Sequence, residues 1–126
     1  MNTELRTNIF QIGETITGIS GNFYYMEAPK KTDLPYSVFF FVTNPSSRDS
    51  VTKFETFFLQ INIFDTDAEN LELLTKRVRE KFDDGEVLFN LPSFHVDRID
   101  HQFSKPLKTD KVYQISMQYK LELSQK

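Results

Sequence analysis

Two histidines and an aspartate carry donor atoms from which a metal site could be built. His95, Asp97 and His101 occupy positions of one parity in a segment that predicts a strand, and imidazole nitrogens and carboxylate oxygens are accepted ligands of zinc. However, six residues separate His95 from His101, which is about 20 Å along an extended strand. A single ion cannot reach both unless the strand bends sharply, so we expect ordinary polar strand residues and no metal site.

The other acidic residues do not pair for acid–base chemistry either. Asp65 and Asp67 precede a predicted helix and Asp83 and Asp84 follow it, which places the two groups about 25 Å apart at the rise of an α-helix. The chain has no cysteine and none of the common nucleophile, P-loop, dinucleotide or zinc-protease motifs. The sequence therefore predicts no catalytic or cofactor-binding residue, no cofactor, and a protein that is not an enzyme.

The most regular part of the chain is a strand that leads through a turn into a helix. Residues 57–64 alternate with the period of two of a β-strand. Thr66 and Glu69 have the spacing of a capping box, and Asp84-Gly85 is a helix stop signal. One apolar stripe at helical spacing follows the cap, formed by Ala68, Leu71, Leu74, Thr75, Val78 and Phe82.

Residues 113–123 form the most strictly alternating strand, with one apolar and one polar face, which is typical of an antiparallel sheet covered on one side. Residues 36–42 are apolar on both faces, and a helix is predicted from Leu5 to Ile16. The element order predicts an α+β fold in one domain over 1–126. Its antiparallel β-sheet carries two helices packed on one face, in a two-layer sandwich.

Several apolar residues do not fit on the helix-covered face. We expect Phe39 and Phe41, or their neighbours of the opposite parity, on the other face of their strand, together with Phe58 and Phe64. Leu73 points about 180° away from the apolar stripe of its helix, at 100° per residue. Together these residues predict an interface through which copies of the chain associate.

Composition limits the remaining possibilities. The net charge of −3 argues against a dedicated nucleic-acid binder. The absence of cysteine fits a reducing cytoplasm, and the sequence shows neither a membrane span nor a secretion signal. Charge is uneven, with eight acids against four bases in 65–86 and five lysines against two acids in 104–126.

Three segments resemble the small tail-terminator, or tail-completion, proteins of long-tailed bacteriophages. The first is Gly21-Asn22-Phe23-Tyr24, followed by Ala28-Pro29 and Leu34-Pro35-Tyr36-Ser37-Val38. The second is Leu59 to Asp65 leading into a helix, and the third is the alternation from Val112 to Leu123. Chain length and element order also agree with that family.

The resemblance implies a structural virion protein that forms a ring, commonly a hexamer, in the tail or neck, after assembly in the host cytoplasm. Such a ring caps the tail tube, stops tube growth and joins the head connector, while DNA passes through its channel without sequence-specific binding. The apolar residues above become subunit contacts. Polar loops at 44–51 and 104–110, with Arg48, Asp49, Lys105 and Lys108, become contacts to the tube protein or the connector.

Two alternatives remain at this point. In the first alternative, the chain is a head–tail connector adaptor or another tail subunit. In the second, it belongs to a different class and is a small-ligand-binding module. The ligand module requires a pocket lined by phenylalanine and tyrosine between the sheet and the helices.

Overall fold

The computed structural model describes residues 3–42, 54–83, 89–109 and 111–126. The elements are α1 (Thr3–Gly13), β1 (Phe23–Tyr25), β2 (Tyr36–Val42), β3 (Phe54–Asp65), α2 (Ala68–Phe82), β4 (Phe94–Thr109) and β5 (Val112–Gln125). The five strands form one sheet in the order β1-β2-β3-β5-β4. The α+β class is confirmed. The sheet is mixed rather than purely antiparallel, because β1 pairs in parallel with β2 while the other neighbouring pairs are antiparallel.

Both helices pack on the same face of the sheet. Except for Ala68, which is exposed, the apolar residues of α1 and α2 that were predicted to be buried share one hydrophobic cluster with odd-numbered residues of β3 and β5. Its helical and sheet members include Leu5, Ile9, Ile12, Leu71, Leu74, Val78, Phe82, Leu59, Ile61, Ile63, Met117, Tyr119 and Leu121. We call the sheet face that carries these residues the inner face and the opposite one the outer face.

The first helix ends at Gly13, and the ring of Phe23 lies against that residue. A Cβ atom built on Gly13 would stand 2.3 Å from the Phe23 ring, closer than any side chain tolerates. Phe23 is fully buried and stacks on Phe39 with ring centroids 4.9 Å apart. Ile16, predicted as the last residue of the helical stripe, is buried in the core just beyond the helix.

The second helix begins one residue later than the capping-box pattern predicts. Asp67 is the N-cap, and its carboxylate accepts hydrogen bonds from the backbone N–H groups of Glu69 and Asn70 at 3.0 and 3.3 Å. Aspartate is as good an N-cap as threonine or better, so both residues were candidates. The predicted stop at Asp84-Gly85 lies outside the described residues, and Asp83 is the C-cap.

Pairing with β3 decides which side of β2 faces the helices. Phe39 lies opposite Ile61 and Phe41 opposite Leu59, and directly opposed residues of an antiparallel pair share a face. Phe39 is 0% exposed, and Phe41 packs against the core. The placement of Phe39 and Phe41 on the outer face is therefore wrong. Their neighbours of the opposite parity, Val38, Phe40 and Val42, occupy it.

The fourth strand is longer and less regular than predicted. It continues through Lys105 and Lys108 to Thr109, paired with β5 throughout, so the loop predicted at 104–110 is strand wherever it is described. Pro106 is compatible with this strand because β4 is an edge strand, which has a neighbouring strand on only one side. Register shifts lie between Val96 and Arg98 and between His101 and Phe103.

The first of these shifts reverses the parity on which the metal hypothesis depended. His95 lies opposite Ser124, on the outer face, whereas His101 lies opposite Tyr119, on the inner face. The two imidazoles therefore point to opposite sides of the sheet. Among the described residues, no group of three or more His, Cys, Asp or Glu side chains could hold a metal ion.

Candidate functional site

The outer face has a polar centre. Its middle carries uncharged side chains from β3 and β5, which hydrogen-bond along their own strands. Gln60 donates to Asn62 at 3.1 Å, and Gln114 donates to Ser116 at 3.0 Å. The four side chains and Gln118 lie side by side, because Gln60 pairs with Gln118, Asn62 with Ser116 and Phe64 with Gln114. This part of the face offers hydrogen-bonding groups and no net charge.

A groove of about 450 Å³ lies beside this centre, over β2 and the end of β3. It exists because parallel pairing of β1 with β2 requires a connection that runs back along the sheet, and residues 26–35 make that return over the outer face. The connection supplies Met26, Ala28, Pro29, Lys30, Lys31 and Thr32, and the strands supply Tyr36, Val38, Phe40, Asn62 and Phe64.

Aromatic rings form the floor of this groove and lysines its rim. Tyr36 stacks on Phe64 with centroids 4.9 Å apart, and Phe40, which lies opposite Gln60, also lines the groove. Lys30 and Lys31 are exposed at the rim, and the described lining includes no carboxylate. We call this surface, formed by the residues just listed, the aromatic groove. It can accept an apolar group that carries negative charge beside it.

The exposed side of α2 is the second candidate surface. Leu73 is 44% exposed, although it belongs to a helix whose other leucines are buried. Its neighbours at helical spacing are Glu69, Lys76 and Arg77, with Glu72 and Glu80 close by on the exposed surface. The outward position predicted for Leu73 is confirmed.

The predicted interface residues therefore separate into two groups. Phe58 and Phe64 lie on the outer face, opposite Val42 and Tyr36 respectively, as predicted. Phe64 belongs to the aromatic groove, whereas Phe39 and Phe41 belong to the core. Their participation in subunit contacts stays a prediction for Phe58, Phe64 and Leu73.

The predicted partner-contact residues lie in two different environments. Lys105 lies on the outer face of β4, opposite Ser116, and Lys108 lies on the inner face, with its ammonium group 5.2 Å from the Tyr113 ring centroid. Both are exposed in a strand, not in a loop. Arg48 and Asp49 lie outside the described residues.

Two exposed apolar residues of β4 were missed by the sequence interpretation. Phe103 and Leu107 stand on the outer face, opposite Gln118 and Gln114. The sequence did contain a signal, because Phe103 and Leu107 have the same parity and would lie on the same face of a strand. Pro106 had argued for a loop, although proline is compatible with an edge strand. Met26, at the groove mouth, was missed because a turn residue carries no periodicity.

One polar cluster, with a buried phenol and an exposed ion pair, joins the two layers. The phenol of Tyr119 donates a 2.9 Å hydrogen bond to Asp83, which also forms a 3.0 Å ion pair with Arg79. Burial, and then the bond to Asp83, raise the pKa of Tyr119. Burial and the nearby Arg79 lower the pKa of His101, whose ring meets Tyr119 edge-on at 5.4 Å. The cluster combines an exposed ion pair with a buried phenol, and it joins the end of α2 to the sheet.

The pocket required by a ligand-binding module is occupied by packed rings. Phe23 stacks on Phe39, and Phe82 lies against Tyr119 with centroids 5.8 Å apart. All four side chains are fully buried. Where the structure describes the inner face, these large aromatic residues therefore contact each other instead of lining a cavity. No helix among the described residues is both long and apolar enough to span a membrane.

Comparison with known proteins identifies the fold of this chain. No family model and no curated protein matches the chain. Among solved structures, a chain of the "Virion of native gene transfer agent (GTA) particle" has the same two-layer α+β architecture, with a TM-score of 0.74. The similarity covers 95% of this chain and 94% of that chain, at 8% sequence identity. The shared feature is thus the fold over almost the whole length of both chains.

Proposed function

We propose that this chain is a structural protein of a virion, and that its particular role is that of a tail terminator of a long-tailed bacteriophage. The observation that carries the proposal is the fold shared with a virion chain over 95% of the sequence. The family resemblance of Gly21–Val38, Leu59–Asp65 and Val112–Leu123 supports the finer assignment.

In this role several copies close into a ring, most simply a hexamer, on the end of the tail tube. One surface of the ring covers the last layer of tube protein and stops further addition, and the opposite surface receives the head connector. DNA crosses the central channel. The acidic balance of the chain, with a net charge of −3, supports passage without tight binding.

The self-association step is tested by the absolute mass in solution, measured by light scattering on a size-exclusion column over a range of protein concentrations. We expect a species of about six 14.8 kDa chains, or a monomer that converts to one as concentration rises. The same measurement at high salt reports how far exposed charges contribute, because salt screens them.

The terminator role is tested in particles assembled with and without this chain. We expect its removal to give unjoined heads and tails of uncontrolled, excessive length, and purified protein added back to restore joining. A connector adaptor predicts a different result, namely tails of normal length that fail to join heads. Complete infectious particles in the absence of the chain would contradict both roles.

A further inference from the structure

The aromatic groove and the exposed side of α2 have complementary chemistry. The groove has an apolar floor of Tyr36, Phe40 and Phe64 and a rim with two lysines and no described carboxylate. The helix presents Leu73 among three carboxylates, from Glu69, Glu72 and Glu80, and two cations, from Lys76 and Arg77. The aromatic groove is therefore a concave surface with positive charge at its rim. The Leu73 side of α2 presents a protruding apolar side chain with net negative charge around it.

Within the part of the chain that the structure describes, neither the lysines of the groove nor the glutamates around Leu73 form an ion pair. The described ion pairs join Arg79 to Asp83, Arg98 to Asp100 and Lys120 to Glu122. They leave Lys30 and Lys31 at the groove, and the glutamates around Leu73, without a described ionic partner. Arg77 donates a 2.9 Å hydrogen bond to the carbonyl of Thr17 and keeps its positive charge. The three carboxylates still exceed the two cations, Lys76 and Arg77, by one negative charge.

We propose that the aromatic groove of one copy receives the Leu73 face of α2 of the next copy. In this contact the Leu73 side chain covers the Tyr36–Phe64 stack, and the lysines at the rim meet the carboxylates of Glu69 and Glu72. Burial of Leu73 removes an exposed apolar group from water, and the opposite charges align the two surfaces.

The positions of the two surfaces determine the kind of assembly. The groove lies on the outer face of the sheet, whereas α2 covers the inner face. A copy therefore uses its groove toward one neighbour and its helix toward another. Such a head-to-tail contact generates a closed ring or an open filament, not a two-fold dimer. The inference rests on the proposed ring and specifies which surfaces form its joint.

Two variants separate the two halves of the contact. Leu73→Glu places a carboxylate against the aromatic floor, and Lys30→Glu/Lys31→Glu reverses the charge of the groove's rim. We expect the dissociation constant to rise about 30-fold or more for the first variant and about tenfold or more for the second. Phe10→Glu, at a residue of α1 that is 42% exposed, and Lys105→Glu/Lys108→Glu, on β4, are the matched controls and should keep the wild-type mass.

Mixing the two variants is the decisive measurement. The Leu73→Glu chain retains its groove and the lysine-reversed chain retains its helix face, so one intact joint can form between them. We expect each variant alone to be monomeric and the mixture to give a discrete dimer with one copy of each. Adding Glu69→Lys/Glu72→Lys to the lysine-reversed chain should restore the full assembly, since opposite charges again face each other.

Three results would overturn this contact. They are wild-type mass in either variant, a mixture that contains only monomers, and a wild-type chain that stays monomeric at every concentration. The function proposed above is judged separately, by tail length and head joining in particles that lack the chain. A ring built through other surfaces would thus refute the contact and leave the terminator role intact.

Discussion

Tyr119, in the middle of β5, donates a 2.9 Å hydrogen bond to the carboxylate of Asp83, the residue that caps the C-terminal end of α2. Tyr119 is fully buried, whereas Asp83 is exposed and paired with Arg79. The bond therefore joins the sheet to the surface end of the helix, and a buried phenol depends on a single side chain of the other layer.

Removing the two partners of this bond should have unequal effects. We expect Tyr119→Phe to lower the free energy of unfolding by about 1 kcal/mol, because Asp83 keeps Arg79 and water as partners. Asp83→Leu should cost more, about 1–3 kcal/mol, because it leaves the buried phenol O–H without its acceptor. Urea denaturation of both variants measures the difference. Tyr113→Phe, at a half-buried tyrosine of the same strand, is the control, and equal losses in all three variants would contradict the argument.

Tyr119 should also make the protein sensitive to alkali. Its pKa is raised in the folded state by burial and by the bond to Asp83, whereas a tyrosine of the unfolded chain ionises near pH 10. Above about pH 10 the unfolded chain therefore binds fewer protons, so the stability contributed by Tyr119 is complete below pH 10 and declines as pH rises.

The wild type should lose up to about 1.4 kcal/mol more stability per pH unit than Tyr119→Phe in that range. Urea midpoints of the two proteins at pH 8, 10 and 11 provide the comparison, and the other tyrosines and the lysines cancel because both proteins contain them. Parallel pH profiles would show that Tyr119 ionises normally in the folded protein.

Gly13→Ala should destabilise the protein even though alanine favours helices over glycine by about 1 kcal/mol. The added methyl group would meet the Phe23 ring, which is held by stacking on Phe39. We expect a net loss of about 1–3 kcal/mol from overpacking. In a Phe23→Leu background the same substitution should cost much less, because the ring is absent. A double-mutant cycle in urea measures this coupling, and additive losses would refute it.

The position of the helix cap can be tested by a pair of neighbouring substitutions. Asp67→Ala removes the acceptor of two backbone N–H groups of α2 and should cost about 1 kcal/mol. Thr66→Ala removes a side chain with no described role in the cap and should change stability by less than about 0.5 kcal/mol. Thermal unfolding compares them, and the opposite ranking would place the cap at Thr66, as the capping-box pattern suggests.

Periodicity in the sequence determined the elements whose two sides differ in polarity. The alternation of residues 113–123 and the stripe of Leu71, Leu74, Val78 and Phe82 each specify one buried side. The reason is that only one arrangement keeps polar groups in water. For the same reason the outward positions of Leu73, Phe58 and Phe64 could be predicted without a structure.

Only the tertiary structure determined the features that the local pattern of polar and apolar residues leaves open. Residues 38–42 are apolar at every position, so only the register of Phe39 with Ile61 selects the buried side. The register shifts in β4 change which face His95 and Phe103 occupy, and no residue type in this strand predicts the shifts. The aromatic groove is likewise tertiary, because it forms only when parallel pairing of β1 with β2 returns residues 26–35 across the outer face.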